Sequence, residues 1–331
     1  MTAIQDPIAS LLAERGVLLA DGATGTNLFD LGLSSGEAPE FWNVEHPDRI
    51  RSLHRSFVEA GSDIVLTNTF GGTRHRLKLH DGQDRVHKLN ELGARHAREA
   101  AEDAERRVLV AGSVGPTGEL FVPLGALDED EAVEAFAEQM AGLKAGGADL
   151  VWIETMSAAE EIAAALKAAD RVGMPAVVTA SFDTAGRTMM GITPQELAAC
   201  TQGAVAFGAN CGVGASDILA TLLAMESERP LVVKGNCGIP EFRGTEIHYS
   251  GTVEQMADYA RLAIDAGASI IGGCCGTSAR HVRAMRAAID AHERGSRPAL
   301  EAITQRIGPF VNALPGRDAS PTRTRRRRRA A

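Results

Sequence analysis

The cysteines of this sequence have the clearest capacity for chemistry. Cys274 and Cys275 are adjacent in "GGCCGT", and Cys211 and Cys237 each follow an asparagine, in "GANC" and "GNC". Adjacent cysteines are poor partners for one another, whereas thiolates are ligands that soft divalent cations prefer. If the fold brings Cys211 to Cys274 and Cys275, three sulfur ligands would hold one Zn²⁺. A fourth coordination position would then stay open for a group that reacts.

The two remaining cysteines are less informative. Cys237 could be a fourth ligand, a resting ligand that substrate displaces, or a small residue in the wall of the barrel that is predicted below. The sequence leaves these roles open. Cys200 ends the helix-like segment "TPQELAAC", and we expect it in the core, since a free cysteine is commonly a small buried hydrophobe. An odd number of cysteines in a long chain without an export signal indicates reduced thiols.

Short apolar runs alternate eight times with longer segments of helical periodicity. Their cores are continuously apolar, which is typical of parallel strands buried on both faces. The runs are "GVLLADG", "DIVLTNTF", "VLVAGSVGP", "ADLVWIET", "PAVVTASF", "AVAFGANCG", "LVVKGNCG" and "ASIIGGCCGT". We therefore predict an α/β fold, a single (β/α)₈ (TIM) barrel over residues 1–298 with an extension over 299–331. A doubly wound open sheet is the alternative, but "DGATGTN" after the first run lacks the GxGxxG fingerprint.

Polar residues and cysteines follow the predicted strands at one rim, where barrel enzymes have their active sites. Neighbouring strands lie about 4.8 Å apart, so the ends of strands six and eight are roughly 10 Å apart at Cα. Inward side chains from these two strands can meet at one ion, although Cys211 and Cys274 are far apart in the sequence. The barrel therefore supports a three-cysteine zinc site.

Motifs in their order along the chain resemble one known family. "DGATGT", "TNTF", "GSVGP", "IET", "GANC" and "GGCCGT" are similar to those of homocysteine S-methyltransferases, over about residues 12 to 292. The family includes betaine-dependent enzymes, S-methylmethionine-dependent enzymes and the homocysteine-binding module of cobalamin-dependent methionine synthase. The resemblance implies an enzyme that holds one Zn²⁺ with Cys211, Cys274 and Cys275. The homocysteine sulfur would take the open position as a thiolate that attacks an activated methyl group.

The same resemblance implies contacts for the amino-acid end of homocysteine. Backbone N–H groups of the glycine-rich turn after the first strand would hold the carboxylate. Two acidic side chains at the rim would take the ammonium, and two asparagines would orient substrate or zinc. The predicted substrate contacts are Asp21, Gly22, Ala23, Thr24, Asn68, Glu154 and Asn236.

The methyl donor is less determined by the sequence. A quaternary ammonium such as betaine favours an aromatic cage, but only 4% of the residues are aromatic, and Trp42, Phe41 and Phe70 are the candidates. The sequence carries no recognisable folate or cobalamin module. We therefore expect methylcobalamin on a separate corrinoid protein, as in a split methionine synthase. Betaine, a related onium compound and S-methylmethionine are the alternative donors.

The charge and hydropathy of the sequence limit the classes of binding partner that the protein can have. The net charge is −9, and a C-terminal segment with the Arg325–Arg329 run contributes +6, so the remainder carries about −15. An acidic body argues against nucleic-acid binding. We expect the arginine-rich segment to be disordered from about residue 315. Neither a membrane span nor a signal peptide is evident, which predicts a cytoplasmic protein, and a homo-oligomer is compatible with the sequence.

Two rival functions belong to other classes. A barrel metal hydrolase would usually present His-x-His after the first strand, and that pattern is missing from this sequence. A non-catalytic zinc-binding or thiol-sensing protein would need the same cysteines. It would have no need of a glycine-rich anion site and two carboxylates at the same rim.

Overall fold

The computed structural model describes residues 6–243 and 246–312, and eight parallel strands within them form a nearly closed barrel. The barrel strands are β1 (Leu18–Leu19), β2 (Ile64–Leu66), β3 (Leu109–Val114), β4 (Leu150–Met156), β5 (Ala176–Ala180), β6 (Ala206–Cys211), β7 (Leu231–Gly235) and β10 (Ile270–Gly273). They are hydrogen-bonded in the order β1-β10-β7-β6-β5-β4-β3-β2. The predicted (β/α)₈ barrel is confirmed, and each predicted run contains one strand.

The seam of the barrel lies between β1 and β2, where one parallel bridge, Ala20 to Ile64, joins the two strands in the described chain. Asp63 reinforces it, because its Oδ2 accepts the Leu19 N–H at 2.9 Å and its own N–H donates to Leu19 O at 2.6 Å. The Arg286 guanidinium also lies 3.0 Å from Asp63 Oδ2. A buried acidic side chain thus supplies pairing that the two-residue strand β1 does not.

Helices surround the strands, and most segments between strands contain one. They are α1 (Pro7–Arg15), α2 (Gly25–Asp30), α3 (Trp42–Glu45), α4 (Pro47–Glu59), α5 (Arg74–Leu77), α6 (Val86–Glu102), α7 (Glu129–Ala145), α8 (Ala159–Val172), α9 (Pro194–Cys200), α10 (Ala215–Leu223), α11 (Val253–Ala266), α12 (Ala279–Asp290) and α13 (Leu300–Arg306). Capping residues define where several helices begin. Thr193 and Thr252 each form a capping box with the residue three positions later. None of the described helices has the length and hydropathy that a membrane-spanning segment needs.

The apolar residues form two layers, one inside the barrel and one between the strands and the helices. The inner layer contains Leu18, Ile64, Leu109, Leu150, Trp152, Val177, Ala206, Val232 and Ile270, and α1 closes its amino-terminal end with Ile8 and Leu11. Side chains alternate between the two faces of a strand. The next inward positions after Trp152 and Val232 are therefore Glu154 and Lys234, and the inward positions after Ile270 are Gly272 and then Cys274 at the carboxyl-terminal end.

Two features beyond the barrel strands affect its carboxyl-terminal end. An antiparallel hairpin of β8 (Pro240–Arg243) and β9 (Glu246–Tyr249) follows β7, and the sequence analysis did not predict it. The first part of the predicted extension packs on the barrel: Ser216 Oγ donates to Gly308 O at 2.8 Å, and α13 contacts α10 and α11. The Arg325–Arg329 run and the predicted disorder from about residue 315 lie outside the described residues.

Candidate metal and substrate site

A cavity of about 520 Å³ opens at the carboxyl-terminal end of the barrel. Residues at the carboxyl ends of β3, β4, β6 and β7, together with residues that follow β1, β2 and β10, line it, as expected for an active site of this fold. Glu154 lies in its wall, and Cys211, Cys274 and Cys275 border it together. The structure therefore brings one predicted carboxylate and the three predicted metal ligands to one cavity.

The thiols of Cys211, Cys274 and Cys275 converge. One ligand atom from each lies within 4.8 Å of the others, and no other group of three potential metal ligands was found in the described residues. Cys211 has a φ of 61°, an uncommon conformation for a residue other than glycine, and it is the last residue of β6. The left-handed backbone here marks a constrained end of the strand, next to the other two thiols.

Asn236 connects the two segments that carry the cysteines. Its Nδ2 donates to Gly212 O at 2.7 Å and lies 3.7 Å from Cys211 Sγ, while its Oδ1 accepts the Cys275 N–H at 3.0 Å. Asn236 is buried and is not among the residues that line the cavity. The described contacts of its side chain are therefore with the two cysteine-bearing segments.

The chemistry of these donors suits a soft cation. Contact with Cys274 raises the pKa of Cys211 to about 12, and contact with Cys211 raises the pKa of Cys275 to about 11. The pKa of Cys274 is also raised. Without a cation the three groups are held as thiols, because three adjacent thiolates would repel one another. A bound Zn²⁺ would remove that repulsion, and sulfur ligands in this number fit it.

Cys237 lies outside the three-thiol group. Its Sγ is 3.4 Å from Gly251 O and 3.6 Å from His281 Nε2. His281 Nδ1 accepts the Ser278 N–H at 3.0 Å, so Nε2 carries the proton of the neutral ring and faces the sulfur. Burial lowers the pKa of His281 to about 4 and raises that of Cys237 to about 11. The pair is therefore uncharged at neutral pH.

Glu154 presents a carboxylate to the cavity. Ser113 Oγ donates to its Oε1 at 2.5 Å, and the structure gives Oε2 no hydrogen-bond partner among the described residues. Burial raises the pKa of Glu154, and the nearby Lys234 opposes that shift. The free oxygen can accept a hydrogen bond from a cationic group of a bound molecule.

Asp21 is engaged differently from Glu154. Its Oδ1 lies 2.8 Å from Lys234 Nζ, and its Oδ2 accepts the Leu66 N–H at 2.7 Å. Asp21 does not line the cavity, whereas Lys234 does. Sequence reasoning missed Lys234, although a single lysine within the apolar run "LVVKG" was a signal that could have indicated it.

The glycine-rich turn borders the cavity as predicted, but one of its N–H groups already has a partner. The Ala23 N–H donates to Thr277 O at 3.0 Å. Gly22 allows this close approach, since a Cβ there would lie 2.5 Å from the same oxygen. Thr24, Gly25 and Thr26 line the cavity at the first turn of α2, where N–H groups have no partner within the helix.

Asn68 lines the cavity, and its side chain fastens a neighbouring loop. Its Nδ2 donates to Pro39 O at 2.8 Å and to Asn43 Oδ1 at 3.0 Å. Asn43 Nδ2 donates back to Asn68 O at 2.9 Å. Because the amide is engaged in this way, Asn68 holds the segment that carries Glu40 against the cavity.

Aromatic residues line the cavity sparsely. Of the three predicted cage candidates, only Phe70 lines it. Trp42 is buried, where it makes an edge-to-face contact with His46 and lies under the Arg49 guanidinium, and Phe41 lies under Arg85. Phe29 and Tyr249, which sequence reasoning missed, also line the cavity, and the Tyr249 side chain packs over Gly276, the residue after Cys275.

Glu40 is a second carboxylate in the cavity wall that the sequence analysis did not single out. It is buried, and its Oε1 accepts the Gly71 N–H at 2.6 Å. Burial raises the pKa of Glu40. The cavity thus has an acidic side chain near Phe70 as well as one near the thiols.

Comparison with known proteins identifies the family. Residues 18–289 match the family model described as homocysteine S-methyltransferase. The chain belongs to this family. The resemblance that the motifs carry is thereby confirmed, and the chain is a member of a family of methyltransferases.

Curated relatives of this homocysteine S-methyltransferase family member include two mycobacterial proteins named methionine synthase. That of Mycobacterium leprae is 30% identical over 307 residues, and that of Mycobacterium tuberculosis is 30% identical over 302 residues. The matches cover 87% and 85% of this chain. The chain spans about a quarter of the length of these relatives, 25% in each case.

Solved structures of the homocysteine methyltransferase MmuM from Escherichia coli are also similar. The metallated form gives a TM-score of 0.73 at 25% identity and covers 85% of this chain and 99% of that one. The oxidised form gives a TM-score of 0.71 at 27% identity, with 86% and 99% covered. The likeness extends over nearly the whole of that enzyme.

Proposed function

We propose that this chain is a zinc-dependent homocysteine S-methyltransferase that forms methionine. One observation carries the proposal: three thiols lie within 4.8 Å of one another beside a cavity of about 520 Å³. The cavity also presents the Glu154 carboxylate. Sulfur ligands and an acidic group within one cavity match a substrate that has a thiol at one end and an ammonium at the other.

The proposed ligands of the metal are Cys211, Cys274 and Cys275. A Zn²⁺ held there would lower the pKa of a homocysteine thiol from about 8.5 and so make a thiolate available at neutral pH. Asn236 keeps the two cysteine-bearing segments together through its contacts with Cys211 and Cys275. Tyr249 packs over Gly276, the residue after Cys275, from the hairpin side.

The amino-acid end of homocysteine is proposed to lie between Glu154 and the first turn of α2. The unpartnered Oε2 of Glu154 accepts a hydrogen bond from the ammonium. The N–H groups of Thr24, Gly25 and Thr26 are available for the carboxylate, because the first turn of a helix leaves its donors unpaired. Gly22 and Ala23 shape this turn through their contact with Thr277.

The proposed donor is methylcobalamin carried by a separate corrinoid protein. The relatives named methionine synthase support it, since this chain matches about a quarter of each. Exposed apolar side chains in the loops at the cavity end also support a protein partner, because exposed apolar patches commonly mark interaction sites. They include Phe29, Leu79, Leu120, Val122, Leu124, Met189 and Ile239.

A small onium compound, such as betaine or S-methylmethionine, is the alternative donor. The observation that favours it is the buried Glu40 carboxylate in the cavity wall near Phe70, since a carboxylate and an aromatic ring both attract a cation. Phe29 and Phe70 are few for a cage around a quaternary ammonium. The corrinoid donor therefore remains the preferred proposal.

Purified protein assayed with homocysteine and each donor in turn tests the proposal. We expect one zinc per chain by atomic absorption, and methionine from a methylated corrinoid protein. Methionine from betaine or S-methylmethionine alone would replace the proposed donor with the alternative. Absence of zinc, or a zinc coordination that homocysteine leaves unchanged in X-ray absorption spectra, would contradict the proposed function and favour a non-catalytic thiol-binding protein.

A further inference from the structure

Lys234 is a buried cation at the centre of the barrel mouth. It follows Val232 and Val233 in β7, and its side chain is only 3% exposed. Its Nζ lies 2.8 Å from Asp21 Oδ1 and 5.5 Å from the Trp152 ring centroid. The side chain crosses β10 at Gly272, where a Cβ would lie 3.0 Å from Lys234 Cγ. Because Gly272 has no side chain, the Lys234 side chain can pass from β7 over β10 to Asp21, which follows β1.

Two carboxylates surround this cation, and they are not equivalent. Asp21 is 1% exposed, and both of its oxygens have partners, Lys234 Nζ and the Leu66 N–H. Glu154 is close enough to Lys234 for their charges to interact, but the described residues place no ion pair between them. Its Oε2, in the cavity wall, has no hydrogen-bond partner in the described part of the chain. Two carboxylates and one ammonium leave one excess negative charge.

We propose that Lys234 sets the charge of the homocysteine amino-group subsite by neutralising Asp21 and leaving Glu154 as the one unmatched carboxylate. This inference rests on the proposed function, because it assigns the ammonium of homocysteine to Glu154. Lys234 is a positioning residue and does not contact the reacting sulfur. Asp21 contributes through Lys234 and not by direct contact with substrate.

The physical reason is the cost of unbalanced charge in a buried place. An excess negative charge in a site of low polarity is stabilised by a ligand that brings one positive charge. Homocysteine brings one ammonium and makes the cluster neutral. A thiol acid without an amino group, such as 4-mercaptobutanoate, leaves it unbalanced, so the cluster selects for an amino acid.

A charge-compensation cycle tests the inference with zinc-loaded protein. The variants are Asp21→Asn, Lys234→Met and the double variant, and calorimetry measures the dissociation constants of homocysteine and 4-mercaptobutanoate. Asp21→Asn keeps an acceptor for Leu66 but frees Lys234 to pair with Glu154. We expect it to weaken homocysteine binding by at least about tenfold and to abolish the preference over 4-mercaptobutanoate.

The double variant is the decisive protein. It removes one charge of each sign and restores the single excess charge on Glu154, so we expect homocysteine binding within about threefold of the unaltered protein. Zinc content and thermal unfolding are measured in parallel, and the comparison does not require Lys234→Met alone to fold. If the double variant does not fold, the inference is decided by whether Asp21→Asn still prefers homocysteine to 4-mercaptobutanoate.

Two results would overturn the inference. A folded double variant that binds homocysteine as weakly as Asp21→Asn would place the ammonium directly on Asp21. An Asp21→Asn protein that keeps full affinity for homocysteine and its full preference over 4-mercaptobutanoate would show that the charge balance is irrelevant. Failure of the unaltered zinc protein to bind homocysteine would instead refute the proposed function, so the two failures are distinguishable.

Discussion

Asn236 Oδ1 accepts the Cys275 N–H at 3.0 Å, and through this bond an amide in the loop after β7 fixes a cysteine that follows β10. The Nδ2 of the same side chain lies 3.7 Å from Cys211 Sγ at the end of β6. One residue between two strands thus holds the thiols of both. Groups that orient metal ligands commonly contribute strongly to metal affinity, although they do not touch the metal.

Asn236→Ala should lower zinc affinity by roughly ten- to a hundredfold, because both cysteine-bearing segments lose their common partner. Competition with a chromophoric chelator measures the change. Asn27→Ala is the matched control, since Asn27 donates to Ala23 O and Thr277 O at the same rim without contacting a cysteine. Equal zinc affinity in the two variants would contradict the role assigned to Asn236.

Each of the three converging cysteines should be indispensable. Cys211→Ala, Cys274→Ala and Cys275→Ala should each lose tightly bound zinc and methyl transfer, because two thiols remain where three converge. Cys237→Ala is the control at a neighbouring buried cysteine whose sulfur faces His281, and it should keep close to one zinc per chain. A variant of the three that keeps both metal and turnover would remove that residue from the metal site.

The apolar loops around the cavity should matter only for a protein donor. Leu124 is 72% exposed, and Leu124→Asp should lower kcat/KM for a methylated corrinoid protein by about tenfold. The KM for homocysteine should not change, because Leu124 does not line the cavity. Ala13→Asp, at an exposed position of α1 near the other end of the barrel, is the control. Equal loss in both variants would argue against docking at this end.

Acid should destabilise the protein through His54. This side chain is buried in α4, neither ring nitrogen has a hydrogen-bond partner among the described residues, and burial lowers its pKa to about 3. Below pH 6.5 His54 binds a proton in the unfolded chain but not in the folded chain. The free energy of unfolding therefore falls as the pH falls towards 3. The loss should approach about 1.4 kcal/mol for each pH unit in this window.

His54→Leu removes the unfavourable protonation while filling the same apolar space, so its unfolding free energy should depend less steeply on pH between 6 and about 4. Denaturant titrations at several pH values measure the slope. His87→Leu, at a half-exposed histidine of α6, gives the baseline for loss of a histidine. A slope that His54→Leu leaves unchanged would assign the acid sensitivity to another group.

The fold and the convergence of the three thiols were largely predictable because they depend on the order of strands. Apolar runs gave all eight barrel strands, and a barrel necessarily brings the ends of β6 and β10 near each other, which unites Cys211 with Cys274 and Cys275. The sequence has no comparable apolar pattern in the hairpin that carries Tyr249, so this hairpin was not predicted.

Partners of individual side chains were harder to predict. Whether Asp21 faces the cavity or an internal cation depends on Lys234, two strands away in β7, and on the space over Gly272 in the neighbouring strand β10. Whether the Ala23 N–H is free depends on the position of Thr277 O. Such pairings follow from three-dimensional packing between distant segments, and neither spacing nor composition encodes them.

Because β1 and β2 are joined by so few bonds, we expect this edge of the barrel to be the first to exchange its amide hydrogens with heavy water. Few main-chain bonds cross it, and the Asp63 carboxylate replaces part of the missing ladder. Asp21 lies two residues beyond Leu19, so each local opening also loosens the end of the strand that carries this carboxylate. Deuterium uptake at Leu19 and Asp63, whose amides bridge this edge, should therefore report how strongly a molecule bound in the cavity stabilises the barrel.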